Sequence, residues 1–166
     1  DAPQLNITAL FDPSIDNKDG CTFKEDALVE IIEDYNHLFH QTFSILSYSA
    51  MKKDIQNRLA HKEPYQRIEK TPAEQLNLLI VVDQMLTGYD SKWVNVLYLD
   101  KILRYENIIQ AFSRTNRLFG PDKPFGIIKY YRAPFTMERN IESRVCDKIR
   151  EALNEIEPAK EESKQE

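Results

Sequence analysis

Residues 76–83 read LNLLIVVD, and this nearly unbroken apolar run, from Leu76 to Asp83, decides the fold class. A strand that is apolar at successive positions suits a parallel sheet covered on both faces. Val94–Asp100 (VNVLYLD) is a second run of this kind, Phe125–Tyr131 a third, and Asn6–Phe11 (NITALF) a short first strand. Helical patterns lie around them. A helix is expected from about Phe23 to His40, where Ala27, Leu28, Ile31, Ile32, Tyr35, Leu38 and Phe39 repeat at helical spacing. Thr22, with Glu25 three residues on, supplies its capping-box pattern. Ser49 is the expected cap of a second helix through Leu59, with Met51, Ile55 and Leu59 on one side. A closing helix is expected from Thr136 to about Ile156, and a charged tail comes after it. Strands alternating with helices define an α/β layered domain. In such sheets ligand-binding residues gather beyond the carboxyl ends of the strands, where Asp83, the Thr87–Asp90 turn and Asp100 lie.

The chemistry concentrates in Gln110–Arg117, QAFSRTNR. If these residues are helical, at about 100° each, Ser113, Arg114 and Arg117 fall within roughly 60° of Gln110. Ile108, Ala111, Phe112, Thr115 and Phe119 fall on the opposite side. A helix buried on one face and offering two guanidiniums on the other suits an anionic ligand. Arginine's planar fork matches a phosphate and keeps its charge. The plainer alternative is a surface helix with solvated arginines. Gly120 and Pro121 read as the stop of this helix.

Composition narrows the classes. The 166 residues give room for one domain with a real core; 42% are hydrophobic and 30% charged, as in ordinary globular chains. A net charge of −5 argues against a free-standing nucleic-acid binder, though not against a local basic groove. Cys21 and Cys146 have no metal or redox spacing, which fits a reducing cytoplasm. His37 and His40 lack a third ligand, so no metal site is expected. No apolar run approaches the roughly 18 residues that span a membrane. Four candidate strands are few for this length, and the chain reads as a fragment of a larger protein.

Two blocks carry a resemblance. LTGYD (Leu86–Asp90) after the strand LLIVVD resembles motif V of superfamily 2 helicases and translocases, and QAFSRTNR resembles their motif VI. The whole stretch Leu78–Arg132 looks like the motor (R) subunit of type I restriction endonucleases, as do EDYNHLF and ITALF upstream. Ser113 stands where many helicases have glycine, which favours the restriction subunit over RNA helicases; Tyr89 replaces the commoner phenylalanine. The resemblance implies a partial RecA-like parallel sheet flanked by helices. Residues 1–132 would form the second RecA-like domain, N-terminally incomplete. Residues 133–157 would be a helical extension and 158–166 a charged tail. It further implies that Arg117 is the arginine finger, Arg114 a second phosphate contact, and Gln110 an organiser of the attacking water or the γ-phosphate. Gly88 and Asp90 would serve nucleotide binding, and Thr87 would face nucleic-acid phosphate.

The family implies ATP and Mg²⁺, bound mainly by a domain absent here. Its partners are the first RecA-like domain of the same subunit, the modification and specificity subunits, and double-stranded DNA, in a prokaryotic cytoplasm. The sequence has no G-x-x-x-x-G-K-[ST] loop, no Asp-Glu pair after a strand and no nuclease carboxylate cluster. The chain alone is therefore expected neither to hydrolyse ATP nor to cut DNA. Two alternatives stand beside this reading: a non-enzymatic α/β interaction module docking an acidic partner, and half of another superfamily 2 helicase.

Overall fold

The computed structural model describes residues 5–11, 24–82, 91–117, 120–121 and 123–162. The Thr22 capping pattern, Cys21, Phe119, and the sequence-predicted Asp83, Thr87, Gly88 and Asp90 lie outside them. The chain is α/β and divides into two compact units, residues 1–94 and 95–166. Each holds one small parallel sheet flanked by helices.

In the first unit, strand β1 (Ile7–Phe11) pairs in parallel with β2 (Leu78–Val82) in the register Ile7↔Leu78 to Phe11↔Val82. Asn6 sets this register across 71 residues of sequence. Its backbone N–H donates to Asn77 Oδ1 at 2.9 Å, and its side-chain amide donates to the Ala73 and Gln75 carbonyls. Helices α1 (Lys24–Phe39) and α2 (Tyr48–Ala60) cover one sheet face. Leu10 from β1 meets Leu28, Ile32, Tyr35 and Phe39 from α1 and Met51 and Ile55 from α2 in one core, with Leu79 and Val81 packed against it.

Two expectations need correction here. The LLIVV run is covered on one face only among the described residues, for Ile80 and Val82 on the other face are 53% and 43% exposed. The cap of α2 is Ser47 rather than Ser49, because a 3₁₀ turn over Ile45–Ser47 feeds directly into it. Both helices also end without glycine. His40 and His61 take the left-handed conformation, and Gln41 and Lys62 donate back to the Asn36 and Asn57 carbonyls. That closes a Schellman turn after each helix.

In the second unit, β3 (Val96–Leu99) pairs in parallel with β4 (Ile127–Tyr130), Val96↔Ile127 to Leu99↔Tyr130. The described strands thus form two two-stranded sheets, where the sequence suggested strands of one sheet. Helix α3 (Glu106–Phe112) comes after β3, and α4 (Pro134–Glu162) after β4. Among the described residues, Leu99, Leu103, Ile108, Ala111 and Met137 are the buried hydrophobic residues of this unit. Among the described residues no helix is long and apolar enough to cross a membrane.

Candidate functional site

The QAFSRTNR segment occupies the end of α3 and the turn after it. Ile108 and Ala111 are buried, at 3% and 0% exposure, so the expected apolar face is the one that packs. The helix, however, stops at Phe112 and does not run on to Gly120. Its last α-type bond is Ser113 N–H to the Ile109 carbonyl at 2.9 Å. Arg114 and Thr115 then donate to the Ala111 and Phe112 carbonyls, three residues back, which tightens the chain into a turn. The reason lies in the side chains. The Ser113 hydroxyl donates to the Gln110 carbonyl at 2.8 Å, and the Thr115 hydroxyl to the Phe112 carbonyl at 3.3 Å. Hydroxyl residues compete in this way with the helical ladder and help to end it.

The arginines are consequently not two positions on one helix face. Gln110 and Arg114 are half-buried at the helix end, whereas Arg117 is exposed beyond the turn. Thr115, between them, is 1% exposed and anchors the turn inside the unit. The local charge suits an anion: residues 95–132 contain seven Lys or Arg against three Asp or Glu, in a chain of net −5. Asp100, the other candidate at a strand end, is engaged by the exposed Arg132 at 3.3 Å and serves to close β3. At the entry of α3, Asn140 of α4 donates to the Leu103 carbonyl at 2.8 Å, and Arg144 pairs with Glu106 at 3.3 Å. Tyr105, the residue before α3, holds φ 51°, a conformation rare for a non-glycine residue. Helix α4 thus fixes where α3, the helix leading into the arginine-bearing turn, begins.

A second buried group was not read from the sequence. Arg58 of α2, 3% exposed, lies between the rings of Phe39 and Tyr65, its guanidinium carbon 3.9 and 4.2 Å from their centroids. It donates to the Glu74 carbonyl at 2.7 Å and to the Tyr65 hydroxyl at 2.9 Å, and it pairs with Asp54 at 3.4 Å. Asp54 in turn accepts from the hydroxyls of Tyr35 and Tyr65, both at 2.5 Å. Burial, and then the hydrogen bond to Asp54, push the Tyr65 hydroxyl up to about 12 and the Tyr35 hydroxyl higher still. Every polar atom in this cluster is satisfied from within the first unit, so its role is to brace the connection between α2 and β2. An arginine four residues after an aspartate on a helix is too common a pattern to have marked it.

The geometry defines an α/β protein that presents a basic, partly exposed turn after a helix packed along one face. Comparison with known proteins gives the particular family. The sequence profile of type I restriction enzyme subunit R domain 3 matches residues 1–133, and the chain belongs to that family. The endonuclease subunit of a type I restriction enzyme from Staphylococcus aureus (strain COL) is 36% identical over 132 residues, covering 77% of this chain and 13% of that protein. Its counterpart from Staphylococcus saprophyticus is 55% identical over 58 residues, 35% of this chain and 6% of that protein. The HindI endonuclease subunit from Haemophilus influenzae is 39% identical over 69 residues, 42% of this chain and 6% of that protein. The chain therefore spans about an eighth of the first of these relatives.

Proposed function

We propose that this chain is part of the second RecA-like motor domain of a type I restriction R subunit, a DNA translocase and endonuclease driven by ATP. The observation that carries the reading is the QAFSRTNR turn: a buried Thr115 anchors it, with half-buried Gln110 and Arg114 before it and exposed Arg117 after it. In a chain of this family, that arrangement leaves Arg117 able to meet a nucleotide held elsewhere. In the proposed mechanism Arg117 donates to the γ-phosphoryl oxygens as negative charge develops on them. Arg114 makes a second phosphate contact, and the Gln110 amide orients the attacking water or the γ-phosphate. Gly88 and Asp90 serve the nucleotide, and Thr87 meets nucleic-acid phosphate. The basic stretch around the turn fits a polyphosphate, and Mg²⁺ would arrive with ATP on the first RecA-like domain of the same subunit, which also supplies the phosphate-binding loop.

The whole subunit would work with modification and specificity subunits on double-stranded DNA in a prokaryotic cytoplasm. We read both parallel strand pairs as parts of a RecA-like sheet in the longer protein, residues 133–157 as a helical extension of it and 158–166 as a charged tail into which α4 continues as far as Glu162. The chain alone is expected to be inactive in hydrolysis and cleavage. The test is DNA-stimulated ATP hydrolysis by the full-length subunit in its assembled complex, wild type beside Arg117→Ala. Turnover should fall by about 10³-fold, within the range for arginine fingers, with DNA binding retained. Equal turnover in the two proteins would sink the assignment. The rival interaction module would instead lose partner binding in the double variant Arg114→Ala, Arg117→Ala.

A further inference from the structure

Gly126 stands immediately before β4 and eleven residues after Thr115. A Cβ at Gly126 would lie 2.2 Å from the Thr115 carbonyl oxygen, 2.6 Å from its carbonyl carbon and 2.7 Å from its Cβ. The glycine is therefore required by space: the peptide leaving the arginine-bearing turn rests directly on it. We propose that Gly126 is a positioning residue for Arg114 and Arg117, a backbone stop against which the turn is set. This rests on the reading of Gln110–Arg117 as the nucleotide-facing segment.

Neither side of the contact can yield without consequence. Gly126 is held in place by β4, since Ile127 donates its N–H to the Asn95 carbonyl at 3.0 Å and β4 is in register with β3. On the other side, Thr115 is 1% exposed and its hydroxyl is bonded to the Phe112 carbonyl. Adding a methyl group at Gly126 requires the Thr115 carbonyl to move from 2.2 Å to the ordinary contact distance of 3.4 Å. That is a displacement of about 1 Å, and it must appear in the residues bracketing Thr115. Arg114 is the residue before it, and Arg117 is two residues after. A misplacement of about 1 Å at groups that act on a transition state costs on the order of 10²-fold in rate. Binding contacts made elsewhere on the nucleotide would be untouched, so the loss belongs in kcat and not in KM.

The experiment uses the full-length subunit in its assembled complex and measures DNA-stimulated ATP hydrolysis. Gly126→Ala should lower kcat by about 10²-fold, with KM for ATP and DNA affinity within about twofold of wild type. In an Arg117→Ala background the same substitution should cost less than about tenfold, because one of the two groups it misplaces is already gone and only Arg114 remains to be displaced. Ile127→Val, a neighbouring change at a half-buried position of β4, should leave kcat unaltered. If Gly126→Ala fails to assemble, Thr115→Ser is the second variant. It shrinks the buried side chain that anchors the turn on the other side of the contact, without adding an atom, and it should lower kcat at constant KM and be non-additive with Arg117→Ala. An unchanged kcat in the glycine variant, or in the threonine variant where that one must serve, overturns the proposal, as does a full further 10²-fold loss in the Arg117→Ala background. If Arg117→Ala itself leaves turnover intact, the nucleotide-facing reading fails instead, which separates the two conclusions.

Discussion

Replacing Arg58 by methionine tests the brace of the first unit, and the structure sets the size of the effect. Methionine traces much of the arginine stem and can still lie between Phe39 and Tyr65, so little apolar packing is lost. The polar losses are larger. Arg58 makes two short charge-assisted hydrogen bonds, to the Glu74 carbonyl at 2.7 Å and the Tyr65 hydroxyl at 2.9 Å. Its contacts with Tyr35 and Asp54, at 3.3 and 3.4 Å, are weaker. Bonds of the stronger kind contribute about 1.5–3 kcal/mol each, and breaking a buried ion pair costs about 3–5 kcal/mol. Asp54 is not orphaned, for both tyrosine hydroxyls still donate to it. The cost should therefore fall at the lower end, about 3 kcal/mol, which is a large part of the 5–15 kcal/mol typical of a domain. Arg58→Lys should recover little of this, since an ammonium cannot lie flat between two rings while donating in its own plane. Urea denaturation of the chain, monitored by far-UV circular dichroism, reads the change as a lower midpoint at constant m-value. A loss below about 1 kcal/mol for Arg58→Met would refute the reasoning and make the cluster incidental.

Two pH dependences arise in the same unit. The Tyr65 hydroxyl is raised from 10.0 to about 12 in the folded chain, so its contribution is complete below pH 10 and is lost as pH rises towards 12. The stability gap between wild type and Tyr65→Phe should narrow across that window, and a gap that stays constant from pH 9 to 12 would count against the network. His61 stacks on Trp93 with ring centroids 4.0 Å apart, and burial, aided by the nearby Lys92, lowers its pKa below 6.5 against the pull of Glu69. Its contribution is therefore present above pH 6.5 and lost as pH falls through and below it, because the unfolded chain takes up the proton first. Denaturation midpoints between pH 5 and 8 should show this acid limb in wild type but not in His61→Gln. Equal slopes in the two proteins would remove His61 from the account.

Local pattern and family membership were legible in the sequence. Apolar runs placed all four strands, helical spacing placed α1 and α2, and the packed side of α3 was marked by Ile108 and Ala111. These features depend on which face of a single element is apolar, and periodicity records that directly. The ends of the helices were less legible, since His40 and His61 do the work usually marked by glycine, and Ser113 and Thr115 stop α3 where spacing alone would continue it. What tertiary structure alone decided are relations between residues far apart in the chain. Pairing of Ile7 with Leu78 spans 71 residues, burial of Arg58 needs rings from α1 and from the segment before β2, and the need for glycine at position 126 arises only when β4 meets the Thr115 carbonyl. None of these leaves a periodic mark, because each is fixed by the space that remains once several elements have packed together, and that space is a property of the folded chain.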